Sequence, residues 1–306
     1  AHGKRYTRCI IHGMRAVATA DTQWAAFTVD IGQSGASVIA MRGTDKTAVG
    51  WEEDFRLAHN VLGTGAQLES FRYLKNAESK RIYLTGHSKG GSNVSSAYVM
   101  NNAYIRDKVV RIDNFDGPGV NPEFAGTYAD GYRELHSKLS NFYPQDSIIG
   151  LLLQDNPGPE FFIKSVVRNT YAGNPIFGQH DPFSFVVKGT EFVKTKQTLI
   201  SRTWNRVLDD LVSKTTNMQR YYLIQLLERI GLPALIAGES KGIIQDIAHA
   251  VCNIIKAPRE EKQALFQVLV AFIKSFISID KEWIAQRQRN GYNKTNVVAD
   301  TAVIRT

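Results

Sequence analysis

The segment "RIYLTGHSKGGSNV" (81–94) constrains this chain more than any other. A β-branched run ends in G-x-S-x-G (Gly86, Ser88, Gly90), an extra Gly91 follows, and a helical pattern begins directly behind it. A strand that turns sharply into a helix brings backbone against backbone, and glycines two before and two after the serine relieve that crowding. The turn lifts a serine hydroxyl clear of the sheet, with His87 beside it in the elbow. It also leaves the next amide, that of Lys89, at a helix N-terminus where negative charge is favoured. The letters alone are cheap, as "GESKG" (238–242) shows. That second copy follows a helix rather than a strand and reads as a turn.

The surrounding pattern fits an elbow. "QWAAFTVDI" (23–31) and "SVIAMRG" (37–43) are β-rich runs joined by "GQSGA", a hairpin signal. Helical spacing follows between about 50 and 79, then the strand at 81–86 and the helix "SNVSSAYVMNNAYI". "KVVRIDNFDG" reads as a strand, "ELHSKLSNFYP" as a helix running into a short strand, and "EFFIKSVV" (160–167) as strand again. Strands alternating with helices predict a mainly parallel sheet with helices on both faces. From about 198 the sequence turns helical, with Pro233 and Pro258 placed where first turns begin. The expected organisation is an α/β core over 1–197, a helical cap, lid or interface region over 198–290, and a tail over 291–306.

Two cysteines, Cys9 and Cys252, lack any ligand spacing, which argues against structural zinc and a disulfide scaffold and favours a reducing, cytoplasmic compartment. The opening "AHGKRYTRC" shows no secretory leader pattern. The net charge of +8 comes without a run of basic and aromatic residues, so nucleic acid is a poor partner. If that charge has a use, a general attraction to an acidic membrane surface is the better one, with a merely basic surface as the plainer reading.

A serine nucleophile needs a histidine base and an acid to orient it. Of the seven histidines, His180 in "FGQHDPFSF" lies on a loop after the last strand-like run. Asp146 in "NFYPQDSIIG" precedes it, giving the order Ser88, Asp146, His180 expected of a hydrolase. Asp116 in "NFDGPG" is the alternative acid, and Asp181 a more distant one. Read structurally, Asp116 fixes a loop and Asp146 caps a helix.

Five ordered motifs, "MRGTD…GWEEDF", "LTGHSKGG", "NFDGPG", "YPQDSIIGLLL" and "GQHDPFSF", resemble the Mbeg-like branch of bacterial lipase-like α/β-hydrolases over roughly residues 20 to 290. More distantly the chain is similar to class-three, fungal-type triacylglycerol lipases. The resemblance implies an α/β-hydrolase fold, Ser88 as nucleophile, Asp146 as acid and His180 as base. It implies an oxyanion hole from the amides of Thr44, in Arg42-Gly43-Thr44, and Lys89, with Trp51 and Asp54 packing and capping on the helix that follows. Two departures stand out. Lys89 occupies a place where lipases carry an apolar or amide residue, and "FDGPG" replaces their G-x-P-R segment, which keeps Asp116 in play. The family's opening strand–helix segment is also not seen.

The expected activity is cleavage of a carboxylic ester, lipid or small molecule, without metal or organic cofactor. A deacylase or thioesterase using the same triad, or a non-catalytic scaffold, are the alternatives. In the helical region Phe266, Leu269, Val270 and Phe276 are candidates to face acyl chains, a membrane or a second copy in a homo-oligomer, with packing on neighbouring helices as the plainer reading.

Overall fold

The computed structural model describes residues 8–45, 47–153, 156–166, 178–238 and 243–268, together with 270 and 274. A seven-stranded sheet runs in sequence order β1 (Cys9–Ala18), β2 (Gln23–Ile31), β3 (Ala36–Met41), β4 (Arg81–His87), β5 (Val109–Phe115), β6 (Leu139–Pro144) and β7 (Glu160–Ile163). β1–β2 and β2–β3 pair antiparallel, and every later neighbour is parallel. The hairpin read from "GQSGA" is the β2–β3 turn. β1 has no counterpart in the pattern reading, because its residues are exposed almost throughout and give no period-two signal.

Helices α1 (Ala48–Arg56) and α2 (Gly65–Lys75) connect β3 to β4. Then come α3 (Lys89–Met100), α4 (Ala103–Lys108), α5 (Pro122–Thr127) and α6 (Ala129–Leu135). α2 starts on a capping box in which Thr64 and Gln67 exchange bonds. α3 is buried from Lys89 through Val99 and packs on the sheet face that carries Ile82, Leu84 and Ile112. On the opposite face of β4, Tyr83 and Thr85 are partly exposed.

Past a two-stranded hairpin, β8 (Val187–Lys188) and β9 (Glu191–Phe192), the chain is helical. α7 (Leu199–Ser213), α8 (Asn217–Arg229), α9 (Leu232–Ile236) and α10 (Ile243–Lys256) follow one another, and residues 259–268 are helical as well. Ion pairs fasten this region to the core: Arg56 Nε lies 2.9 Å from Glu228, and Arg220 reaches Glu123 at 2.5 Å. Arg220 also donates to the Ala58 carbonyl. Val270 is half-buried and Phe266 is 68% exposed, while Leu269, Phe276, residues 239–242 of the "GESKG" turn and the tail lie outside the described residues. No helix among the described residues is long and apolar enough to cross a membrane.

Candidate active site

The parallel pairing of β4 with β5 sets the site. Gly86 lies opposite Asn114 and His87 opposite Phe115, so Ser88 and Asp116 leave the sheet side by side. The Ser88 amide still donates to the Phe115 carbonyl at 3.0 Å. Both residues then take backbone conformations that L-residues avoid, Ser88 at φ 57, ψ −133 and Asp116 at φ 50. The Ser88 side chain makes no capping bond to α3, which leaves its hydroxyl available.

The glycines around the serine are required by contact. A Cβ on Gly86 would sit 2.2 Å from the Gly90 carbonyl oxygen, and one on Gly90 would sit 2.2 Å from that of Met41. A Cβ on Gly91 would meet Asn114 Oδ1 at 1.9 Å. Asn114 is itself fully buried and holds the turn after β5 by accepting from the Gly117 amide at 2.9 Å.

The aspartate that meets His180 is not the one first expected. His180 Nδ1 lies 2.7 Å from Asp116 Oδ2, and both residues are buried. The other oxygen, Asp116 Oδ1, accepts from Ser147 Oγ (2.5 Å) and from the Gly150 amide (3.2 Å). Three polar groups therefore converge on one buried carboxylate. Asp146 does not meet His180. Its carboxylate accepts from Gln179 Nε2, its amide donates to Gln179 Oε1, and that Gln179 oxygen also accepts from Ser165. Asp146 thus pins the residue before His180, while its neighbour Ser147 donates to Asp116. Asp181 caps the short 3-10 turn Pro182–Ser184 by accepting from the Phe183 amide.

His87 has a role the motif reading did not assign. Its Nε2 donates to the His180 carbonyl oxygen at 2.6 Å, and the two rings lie 4.5 Å apart. Burial, reinforced by the neighbouring His180, pushes the His87 pKa down to about 4. His87 therefore stays neutral near neutral pH and anchors the His180 backbone.

On the other side of Ser88, a Cβ on Gly43 would lie 2.7 Å from the His87 carbonyl oxygen and 3.2 Å from Ser88 Cβ, so the Arg42-Gly43-Thr44 turn rests directly against Ser88. The Thr44 hydroxyl donates to Asp54 Oδ2 at 2.5 Å. Lys89 points its side chain inward, 1% exposed, with Nζ 3.0 Å from Glu53 Oε2 and 3.8 Å from Asp54 Oδ1. Glu53, wholly buried, also accepts from the amides of Gln23 and Ala66. Sequence reasoning missed Glu53. The only signal was its place in an acidic triplet, Glu52-Glu53-Asp54, in "WEEDF".

Ser88, Lys89, Asp54 and His180 open onto one cavity of about 380 Å³. The rest of its wall is almost entirely apolar. Trp51 and Phe55 come from α1, Leu211 from α7, Leu223 and Ile224 from α8, and Val268 from the last described helix. Among the described residues no group of three or more histidines, cysteines or carboxylates is placed to hold a metal ion.

A sheet parallel from β3 to β7, with a strained serine at the β4–α3 turn and an Asp-bound histidine on a later loop, defines an α/β-hydrolase-type protein. Within that class the chain belongs to the Mbeg1-like family, whose model matches residues 3–228. No curated protein is significantly similar to it. Among the solved structures that resemble it are three lipases. M37 lipase is 18% identical, over 45% of this chain and 54% of its own, with a TM-score of 0.32. Lip2 lipase from Yarrowia lipolytica is 13% identical, over 64% and 77%, with 0.39. Lipase II from Rhizopus niveus is 18% identical, over 52% and 68%, with 0.34. The chain spans about half the length of M37 lipase.

Proposed function

We propose that this protein is a serine hydrolase that cleaves carboxylic esters carrying an apolar acyl chain, with Ser88 as nucleophile, His180 as base and Asp116 as the orienting acid. The observation that carries this reading is the 2.7 Å bond from His180 to a buried, fully hydrogen-bonded Asp116, on a cavity shared with Ser88. With Nδ1–H committed to Asp116, the lone pair of His180 is on Nε2, where it can accept the Ser88 proton. Ser88 Oγ then attacks the ester carbonyl. The amides of Thr44 and Lys89 stabilise the oxyanion, each worth about 10²–10³ in rate. His180 returns the proton to the leaving alcohol, and a water activated by the same base releases the acid from the acyl-enzyme. The apolar wall favours a hydrocarbon acyl group over a sugar or peptide.

Fluorophosphonate labelling tests the reading. Wild-type protein labels at Ser88, Ser88→Ala does not, and His180→Ala labels far more slowly. Hydrolysis of p-nitrophenyl esters from short to long then ranks the acyl preference. A folded wild type that neither labels nor hydrolyses any ester in the series overturns it in favour of a binding protein on a hydrolase fold.

A further inference from the structure

The buried charges beneath Thr44 are not used by the triad. Lys89 follows the nucleophile in sequence, yet its ammonium is turned away from bulk water between two carboxylates of α1. Glu53 is satisfied without Asp54, because two amides and Lys89 already bind it. Asp54 differs. One oxygen accepts from Thr44, while Oδ1, also buried, receives no hydrogen bond and faces Lys89 Nζ at 3.8 Å. A carboxylate in that position needs the nearby cation to stay ionised.

We propose that Lys89 is a positioning residue of the oxyanion site: its buried ammonium keeps Asp54 as an anionic acceptor, Asp54 fixes the Thr44 hydroxyl, and the Thr44 amide is thereby held against Ser88. The proposal rests on the esterase reading above. A hydroxyl bound to an anion is held by a charge-assisted bond about twice as strong as a neutral one. Once Asp54 is protonated, that bond weakens and the turn carrying the amide is free to shift. The groups acting on Asp54 are Lys89 on α3, Glu53 on its own helix, the Thr44 hydroxyl on the turn and His180 on the opposite loop. Burial raises its pKa to about 6, Lys89 is the strongest influence opposing that rise, and Glu53 adds to it by a smaller amount. The bond to Thr44 is therefore present above that value and lost as pH falls through it.

The test is Lys89→Met. Carboxyl ¹³C titration of aspartate-labelled protein, with the Asp54 signal assigned by its loss in Asp54→Asn, reads the ionisation directly. Removing a unit charge 3.8 Å away raises the Asp54 midpoint by about one unit or more. The acid limb of kcat for ester hydrolysis moves up with it, so activity is lost near neutral pH and recovers toward pH 9. In the Asp54→Asn background, Lys89→Met leaves the limb where it is. A purely structural lysine gives a loss that is uniform with pH. If Lys89→Met does not fold, Glu53→Gln with Lys89→Met removes both members of the pair. The upward shift is then smaller but of the same sign, because Lys89 outweighs Glu53 at Asp54. A wild type that labels with fluorophosphonate and an Asp54 midpoint that stays put overturns this proposal alone. A wild type that does not label overturns both it and the esterase reading.

Discussion

The choice between Asp116 and Asp146 has a sharp consequence for a single-atom change. In Asp116→Asn the side chain keeps its shape but must place one oxygen and one NH₂. Oδ1 now accepts from Ser147 Oγ and the Gly150 amide. An amide flipped to offer its oxygen to His180 would leave the Gly150 N–H facing another donor, at a cost of about 1–3 kcal/mol. The oxygen therefore stays with Gly150 and the NH₂ faces His180 Nδ1. That nitrogen must then become the acceptor, which moves the imidazole proton to Nε2, where the serine proton has to go. The wrong tautomer costs about 10⁴ in kcat, or about 5.5 kcal/mol of barrier. Asp146→Asn disturbs only the clasp on Gln179 and changes kcat by about fivefold or less. Both variants are compared with wild type by steady-state hydrolysis of a p-nitrophenyl ester and by fluorophosphonate labelling rate, after circular dichroism shows them folded. If Asp146→Asn loses about 10³ or more while Asp116→Asn stays within tenfold of wild type, the acid has been misassigned.

Other perturbations probe the strain, the second histidine and the cavity. Ser88→Gly abolishes labelling but stabilises the fold. Relief of a backbone strain of about 1–3 kcal/mol, less the entropy cost of glycine, raises Tm by about 2–4 °C; an unchanged or lower Tm counts against stored strain at φ 57. His87 is neutral when folded, with a pKa near 4 against an ordinary 6.5. The unfolded chain thus binds a proton that the native one refuses as pH falls from 6.5 toward 4. Wild type loses about 2–3 kcal/mol between pH 7 and 4.5 that His87→Gln keeps, read as the difference in urea midpoints; equal losses in both proteins refute it. Leu223→Trp fills cavity space and shifts the optimum in an ester series to shorter acyl chains, whereas a parallel loss at every length shows that Leu223 does not bound the acyl site.

How far the sequence carries the site depends on what each residue answers to. The elbow is legible because only glycine fits the close approaches at Gly86, Gly90 and Gly91, whether the neighbour is the elbow itself, Met41 or Asn114, and the G-x-S-x-G-G spacing records all three. His180 is legible by elimination. In the sequence His2 and His12 lie near the start, His59, His136 and His249 fall on helical runs and His87 sits in the elbow, which leaves His180 on a loop after the last strand-like run. The acid is not legible in the same way, since Asp116 and Asp146 both follow strands and both precede the histidine. What separates them is register: β5 is the immediate neighbour of β4, and its end stands beside Ser88.

Lys89 illustrates the opposite limit. A lysine after the nucleophile reads as a departure from lipases because its letter carries charge, and charge is expected at a surface. The structure buries it instead, and burial is tolerable only because Glu53 and Asp54 arrive from α1 to meet it. α1 begins immediately after the oxyanion turn, with Thr47 as its cap. One short segment, residues 42–56, therefore supplies the turn that rests against Ser88, the acceptor of the Thr44 hydroxyl at Asp54 and the counter-charge at Glu53. A substitution at Lys89 would consequently be felt first in the geometry opposite the nucleophile, not in the triad. This is why the pH profile of the reaction, more than its rate at one pH, distinguishes an active charge cluster from a packed one.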